Sequence, residues 1–170
     1  MPSRQLIILR HAKSDWSGKT LMDFDRPLAK RGHHDAPRMG QWLREQGLIP
    51  DYVLSSPAKR ARQTVLLACE ELGIVESDIH WNPDVYAATR ETLCQALAAC
   101  PADTRRVLLV GHNPGLEDLL IYLCGSVTVP PDGKLLPTAA AAQLQMPENW
   151  TELAPGSAQL VGITRPRALD

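Results

Sequence analysis

The sequence predicts a three-layer α/β/α sandwich with a mainly parallel central sheet. Strand-like and helix-like segments alternate along most of the 170 residues, and two strand-like segments, Leu6–Leu9 and Val107–Val110, are unbroken apolar runs. Such runs lack the polar alternation of a sheet with one solvated face, so both strands are expected to lie between helices. At least three strand-to-helix units with right-handed crossovers then form one sheet. Residues 1–170 are expected to form a single domain.

The other elements follow from short patterns. Four further strands are predicted, at Tyr52–Ser55, Ile79–Trp81, Ala139–Met146 and Gln159–Thr164. Helices are predicted over Lys30–Gln46, Ala58–Leu72, from the Thr89 cap to a stop at Pro101, and over Leu116–Cys124, with Gly47, Gly73 and Gly125 at three of the ends.

The segments between these elements are loops. Ser14–Arg26 and the proline-rich Val127–Pro137 are expected to form the two rims of the sheet edge. Phe24 and Leu28 are expected to return the first of these to the core. Pro37 lacks an amide hydrogen, so the first helix should start late or bend there.

Composition excludes several classes of function. The formal charge is −1, which gives no overall attraction to nucleic acid or an anionic membrane, so anion binding requires a local group of cations. No apolar run approaches the roughly 20 residues of a membrane helix. No secretory signal is recognised, and the cysteines Cys69, Cys94, Cys100 and Cys124 include no Cys-x-x-Cys pair. They are expected to be buried thiols in a reducing cytoplasm, not disulfides or zinc ligands.

Polar side chains follow the predicted strands where ligands bind in open α/β sheets. Arg10 and His11 follow the first strand, and Gly111-His112 follows the later buried strand. The carboxyl ends of parallel strands share one edge of the sheet, so both histidines are expected there. A strand-end histidine satisfied by backbone is the competing interpretation for each alone. His33, His34 and His80 follow no such strand end and are expected to have structural roles.

A third segment places an arginine at the start of a helix. Pro57 suits the first helical position, and Arg60 then lies in the first turn, beside backbone N–H groups that favour an anion. A permanently charged guanidinium at a helix N-terminus is typical of a phosphate or carboxylate site. Arg60 shares a face with Gln63 or Thr64, whereas Lys59 and Arg62 are expected to be solvated.

Together these motifs resemble the histidine phosphatase, or phosphoglycerate-mutase-like, superfamily. The resemblance rests on Arg10-His11, on Ser56-Pro-x-x-Arg-Ala-x-Gln-Thr64, and on Gly111-His112. The opening Arg-His-Ala-Lys-Ser from Arg10 to Ser14, with Arg26-Pro27-Leu28 and Lys30-Arg31-Gly32, is most similar to the SixA branch, the bacterial phosphohistidine phosphatases. The resemblance implies the phosphoglycerate-mutase-like fold.

The resemblance also implies a reaction. His11 would attack phosphorus as a neutral imidazole, forming a phosphohistidine that water hydrolyses. Arg10, Arg60 and His112 would hold the phosphoryl oxygens and stabilise the charge of the transition state. Lys13 and Ser14 are assigned to substrate binding with them. Neither a metal nor a cofactor is expected, because arginines and imidazoles carry that charge.

The sequence departs from the family in two places. Ala12 replaces the glycine of the usual Arg-His-Gly opening, which is tolerable if its φ is negative. Many members also carry a general-acid glutamate in a Leu-x-Glu element, whose nearest counterpart here is Val85-Tyr86-Ala87. Ala87 cannot donate a proton, and Asp84, Tyr86 or no residue could replace the glutamate. Because an imidazole leaves more readily than an alkoxide, the missing acid favours a phosphohistidine substrate.

Three functions therefore stand in order. The first is a cytoplasmic phosphatase of histidine-phosphorylated protein, as in a phosphorelay. The second is a phosphatase of small phosphomonoesters, with Asp84 or another carboxylate as acid. The third is a module that binds phosphate or phosphopeptide without catalysis, which is disfavoured because a binder needs no neutral nucleophile. The sequence names neither the phosphorylated partner nor the oligomeric state.

Overall fold

A computed structural model describes residues 4–19 and 21–170. Its six strands form one sheet in the order β3-β2-β4-β1-β5-β6. The strands are β1 (Arg4–Arg10), β2 (Tyr52–Ser55), β3 (Ile79–Trp81), β4 (Arg106–Gly111), β5 (Ala141–Met146) and β6 (Gln159–Thr164). The first four run parallel to one another, and β5 and β6 are antiparallel to their neighbours. The predicted mainly parallel sheet is confirmed, with β1 and β4 side by side at its centre.

Four helices cover the two faces of the sheet. They are α1 (Lys30–Glu45), α2 (Lys59–Leu72), α3 (Arg90–Ala98) and α4 (Gly115–Cys124). Successive side chains of β1 point to opposite faces, so Ile7 and Leu9 pack with α1 and α2 while Leu6 and Ile8 pack with α3 and α4. Two apolar cores therefore sandwich the sheet, and the three-layer prediction is confirmed.

Helices α1 and α2 approach closely because small residues meet at their contact. A Cβ added to Gly40 would lie 2.4 Å from the carbonyl oxygen of Ala68, so only glycine fits there. The prediction of a late start or bend at Pro37 is wrong in its first part: α1 begins at Lys30 and continues through Pro37 to Glu45. Apolar packing of Met39 and Leu43 against the sheet stabilises the helix despite the missing hydrogen bond.

Two further expectations need correction. Phe24 does not enter the core but is 38% exposed, whereas Leu28 is buried as expected. Phe24 lies in a short 3₁₀ turn, Asp23–Asp25, and packs edge-on against Tyr86. Pro57 is not in the first turn of α2, which begins at Lys59 with Ala58 as its N-cap. Arg60 is nevertheless the second helical residue, as the motif requires.

The topology gathers three strand ends at one edge. Because β1, β2 and β4 are parallel neighbours, the residues that follow them, His11, Ser56 and His112, emerge on the same side. Within the described residues, no helix is long and apolar enough to cross a membrane. All four cysteines are free thiols, and burial raises the pKa of Cys69 to about 12.

Candidate active site

Two imidazoles face each other at this edge. The ring centroids of His11 and His112 are 5.2 Å apart, with the planes tilted by 52°. His11 is 7% exposed and follows β1 directly, while its backbone N–H donates to the carbonyl of Gly111 at 3.0 Å. The parallel pairing of β1 with β4 therefore fixes the two rings together, as the sequence predicts.

His11 is held as a neutral base. Its Nδ1 lies 2.8 Å from the carbonyl oxygen of Ala12, so Nδ1 carries the proton and donates, and Nε2 keeps a free lone pair. Burial lowers the pKa of His11 to about 3, and the nearby His112, Arg60 and Arg10 lower it further. Burial, more than the arginines that the sequence suggested, keeps the imidazole unprotonated. A neutral ring with an available Nε2 is a competent nucleophile.

His112 is arranged as a donor. Its Nε2 lies 2.8 Å from Oγ of Ser56, and its buried Nδ1 has no partner among the described residues. Burial and the charge of Arg60 lower the pKa of His112 to about 4, so one ring nitrogen carries the proton. If the Ser56 hydroxyl donates to Nε2, the proton sits on Nδ1, which then needs an acceptor. An oxyanion beside His11 supplies one.

Two arginines complete the predicted group. Nη1 of Arg10 donates to the carbonyl of Leu136 at 3.2 Å, which holds the guanidinium against the loop before β5. Arg60 is 6% exposed, and its Nη1 donates to the carbonyl of Asp23 at 2.7 Å. The Nε atoms of both arginines are buried without a partner among the described residues. With Nδ1 of His112, the site holds three buried nitrogen donors that an anion can satisfy.

Sequence analysis missed a carboxylate in the site. Oδ2 of Asp23 accepts from Nη2 of Arg60 at 3.0 Å and from the hydroxyl of Tyr86 at 2.6 Å, and Oδ1 accepts from Arg26 at 3.2 Å. The Tyr86 hydroxyl and Arg60 lower the pKa of Asp23 to about 2, so it stays ionised. The Asp-x-x-Arg spacing of residues 23 and 26 was the signal available in the sequence, but it falls in a loop without periodicity.

Arg26 is a further cation that the sequence did not assign to the site. It is 7% exposed, its Nη1 donates to Oγ of Ser14, and its guanidinium lies 3.5 Å from the ring centroid of Trp16. Arg26 therefore ties the loop after β1 to Asp23, and its charge contributes to lowering the pKa of His112.

The polar residues of α2 hold the loops that carry these groups. Oγ of Thr64 accepts from the backbone N–H of Ala12 at 3.0 Å and donates to the carbonyl of Arg60 at 2.7 Å. Oε1 of Gln63 accepts from the backbone N–H of Leu28 at 2.7 Å. Ala12 itself is fully buried and is not among the residues with positive φ, so its methyl group is accommodated without strain.

Not every predicted residue joins the group. Ser14 is buried and accepts from Arg26, and Lys13 is exposed and lines a separate cleft. Asp84 lies on an exposed turn and is not among the residues that line the cavity beside His112. His33, His34 and His80 are exposed and lie outside the site, as expected.

A cavity of about 440 Å³ opens beside His112. Its lining includes two carboxylates, Asp23 and Asp118, the ring of Tyr86, and the small residues Ala87 and Gly115. Tyr86 meets His112 edge-on, with centroids 5.5 Å apart. Ala87, the counterpart of the family's glutamate, has a φ of 55°, a left-handed conformation that places a methyl group at the cavity wall. In residues 4–19 and 21–170, no three His, Cys, Asp or Glu side chains cluster as a metal site.

The buried histidines predict a loss of stability in acid. Each binds a proton in the unfolded chain near pH 6.5 but in the folded chain only near pH 3 to 4. The unfolded state therefore binds more protons between these values, so stability falls as the pH decreases through this window. From pH 7 to pH 5 we expect each histidine to cost roughly 2 kcal/mol. Urea unfolding at both pH values measures the loss.

The matched variants are His11→Gln and His112→Gln, with His33→Gln as the control on an exposed histidine. Each of the first two should lose less stability than the native chain between pH 7 and pH 5, by roughly 2 kcal/mol. Equal losses in all four proteins would contradict the assignment of buried, neutral rings.

Comparison with known proteins agrees with this geometry. Residues 6–84 match the model of the histidine phosphatase superfamily, branch 1. An uncharacterized chloroplastic protein of Arabidopsis thaliana is 34% identical over 96% of this chain and 78% of its own length. Among solved structures, a putative phosphohistidine phosphatase SixA from Agrobacterium tumefaciens is 29% identical, with a TM-score of 0.78 over 98% of this chain and 99% of that one. Its counterpart from Nakamurella multipartita is 28% identical, with a TM-score of 0.83 over 98% of both chains. The chain belongs to the histidine phosphatase superfamily, as a SixA-like member.

Proposed function

We propose that this protein is a phosphohistidine phosphatase that acts on histidine-phosphorylated protein. Membership of the superfamily and the similarity to phosphatase structures support phosphatase activity. The observation that carries the finer assignment is the pairing of two buried, neutral imidazoles with two buried guanidinium groups at one sheet edge. We take the described residues as one catalytic domain, because all six strands join the same sheet.

In this proposal His11 is the nucleophile. Its Nε2 attacks phosphorus as the bond from phosphorus to the substrate imidazole breaks, which leaves a phosphorylated His11 and a free substrate histidine. Arg10, Arg60 and Nδ1–H of His112 donate to the phosphoryl oxygens, whose charge is spread in the transition state. Water then attacks phosphorus, breaks the bond to Nε2 and releases inorganic phosphate. No metal takes part in these steps.

The carboxylates of the cavity favour a phosphoramidate over a phosphate ester. An ester leaves as an alkoxide and needs a protonated acid, but Asp23, with its pKa lowered to about 2 by the Tyr86 hydroxyl and Arg60, holds no proton to give. A phosphohistidine ring protonated on its second nitrogen is a cation, and it leaves as neutral imidazole. Asp23 and Asp118 line the cavity beside His112, where their negative charge stabilises such a ring.

Small phosphomonoesters are the second candidate, and a direct comparison of substrates decides between the two. A ³²P-labelled histidine-phosphorylated protein domain and a labelled phosphoserine peptide are offered separately, and phosphate release is timed. We expect kcat/KM for the phosphohistidine substrate to exceed that for the ester by about 100-fold or more, since the ester lacks its general acid. Faster release from the ester would favour the second candidate. Binding of both without turnover would indicate a non-catalytic module.

A further inference from the structure

A second cleft lies on the other side of the catalytic strand. It has a volume of about 290 Å³, and its polar lining consists mainly of cations from three parts of the chain. Lys13 and Arg31 come from the segments after β1 and at the start of α1, Lys134 from the loop before β5, and Arg165 and Arg167 from the segment after β6. We call this the basic cleft. Its carboxylates are Asp35 and Asp132.

Two of the cations hold the cleft together. Nη1 of Arg165 contacts Oδ2 of Asp132 at 2.6 Å, and its Nη2 contacts Oδ1 at 3.2 Å and the carbonyl of Lys134. Arg31 pairs with Asp35 at 3.0 Å and with Asp170 at 3.2 Å. These contacts neutralise the two arginines and fix the turn that carries Lys134, so their charges are not available to a ligand.

Three cations remain uncommitted. Lys13, Lys134 and Arg167 are exposed, and none has an ion-pair partner within residues 4–19 and 21–170. Like charges held around one cleft repel each other, and an anion relieves this repulsion. The chain as a whole has a formal charge of −1, so this local excess is not a consequence of composition.

The basic cleft adjoins the catalytic group but is separate from its cavity. Lys13 is two residues after His11, so their Cα atoms lie within about 8 Å. Pro137 and Thr138 line the cleft, next to Leu136, whose carbonyl accepts from Arg10. The cleft shares no lining residue with the cavity beside His112. A small substrate with its leaving group in that cavity does not reach the cleft, whereas a protein surface of ordinary interface size covers both.

We propose that the basic cleft docks an acidic segment of the phosphorylated partner protein. This rests on the proposed function, in which the leaving group is a histidine of a protein. Aspartate or glutamate side chains complement the three uncommitted cations, and their attraction orients the partner before its phosphohistidine meets His11. The cleft thus contributes specificity for the partner, while Arg10, Arg60 and His112 bind the phosphoryl group itself.

The test compares two phosphohistidine peptides that differ only in one flank, which carries three glutamates in one and three glutamines in the other. We expect kcat/KM to be about tenfold higher for the glutamate peptide at low ionic strength, and the advantage to shrink in 0.5 M salt. The double variant Lys134→Glu/Arg167→Glu should abolish the advantage. The control Arg44→Glu/Arg105→Glu, which reverses two exposed cations outside the cleft, should retain it. Equal rates with both peptides in the native chain, or equal loss in both variants, would overturn the proposal.

A second measurement separates this proposal from the phosphatase assignment. Unphosphorylated hexaglutamate is titrated into the ¹⁵N-labelled native chain, and backbone amide shifts are followed by NMR. Shifts centred on Lys13, Lys134 and Arg167 that vanish in the Lys134→Glu/Arg167→Glu variant would support docking even if neither phosphopeptide is hydrolysed. Hydrolysis of both peptides at equal rates without these shifts would retain the phosphatase assignment and reject the docking site.

Discussion

Replacing His11 with alanine is expected to reduce kcat at least about 10⁴-fold, because the variant has no atom that can form the covalent intermediate. The imidazole is buried, its Nδ1 is bound by the carbonyl of Ala12, and its Nε2 is the available lone pair. The native enzyme, mixed with ³²P-labelled substrate and quenched in base, should yield a labelled protein that is stable in base and loses its label in acid. His11→Ala should yield none.

The control for this experiment is His33→Ala, which removes an exposed histidine of α1 outside the site. It should retain the labelled intermediate and a kcat close to that of the native chain. Circular dichroism checks that the His11→Ala chain is folded. Residual label in a folded His11→Ala protein, or turnover within tenfold of native, would assign the nucleophile to another residue and refute the mechanism proposed here.

Replacing Arg60 with alanine is expected to lower kcat/KM by about 10²- to 10³-fold, the usual cost of removing one preorganised donor to a transition-state oxyanion. Arg60 is 6% exposed, and its charge lowers the pKa of both His11 and His112. The variant loses a donor to the phosphoryl oxygens and one of the two side chains that hold Asp23 in its observed position. Steady-state kinetics with a phosphohistidine substrate measures the loss.

Arg62 provides a matched control two residues along the same helix. Its side chain is more than half exposed and pairs with Glu76 at 3.4 Å, away from the site. Arg62→Ala should change kcat/KM less than threefold, since exposed ion pairs contribute only up to about 1 kcal/mol. Arg60→Lys should recover part of the activity, because the charge remains while the two-pronged geometry is lost. Equal losses in Arg60→Ala and Arg62→Ala would show that general helix charge, not a specific contact, is responsible.

The fold and four site residues could be predicted because each depends on a local pattern. Unbroken apolar runs at Leu6–Leu9 and Val107–Val110 require burial on both faces, and parallel pairing then brings the residues after them to one edge. Arg10, His11 and His112 are placed by that rule, and Arg60 by its position at the start of α2. Lys13 and Ser14 follow the same strand, but the chain turns there, so Ser14 meets Arg26 and Lys13 enters the basic cleft.

Asp23 could not be assigned in this way, because its role depends on partners 37 and 63 residues away. It lies in a loop without periodicity, between Met22 and Phe24, which are both exposed. The same holds for the basic cleft, where Lys13, Lys134 and Arg167 come from three distant segments.

By itself, the sequence determined the layered sheet, the edge at which ligands bind and the imidazole and guanidinium groups at that edge, because strand order and strand ends follow from the pattern of apolar residues. Only the tertiary structure decided the environment of these groups. The degree of burial, and which loops return over the edge, set the ionisation of His11, His112 and Asp23, since the cost of a charge depends on what surrounds it and not on its place in the chain.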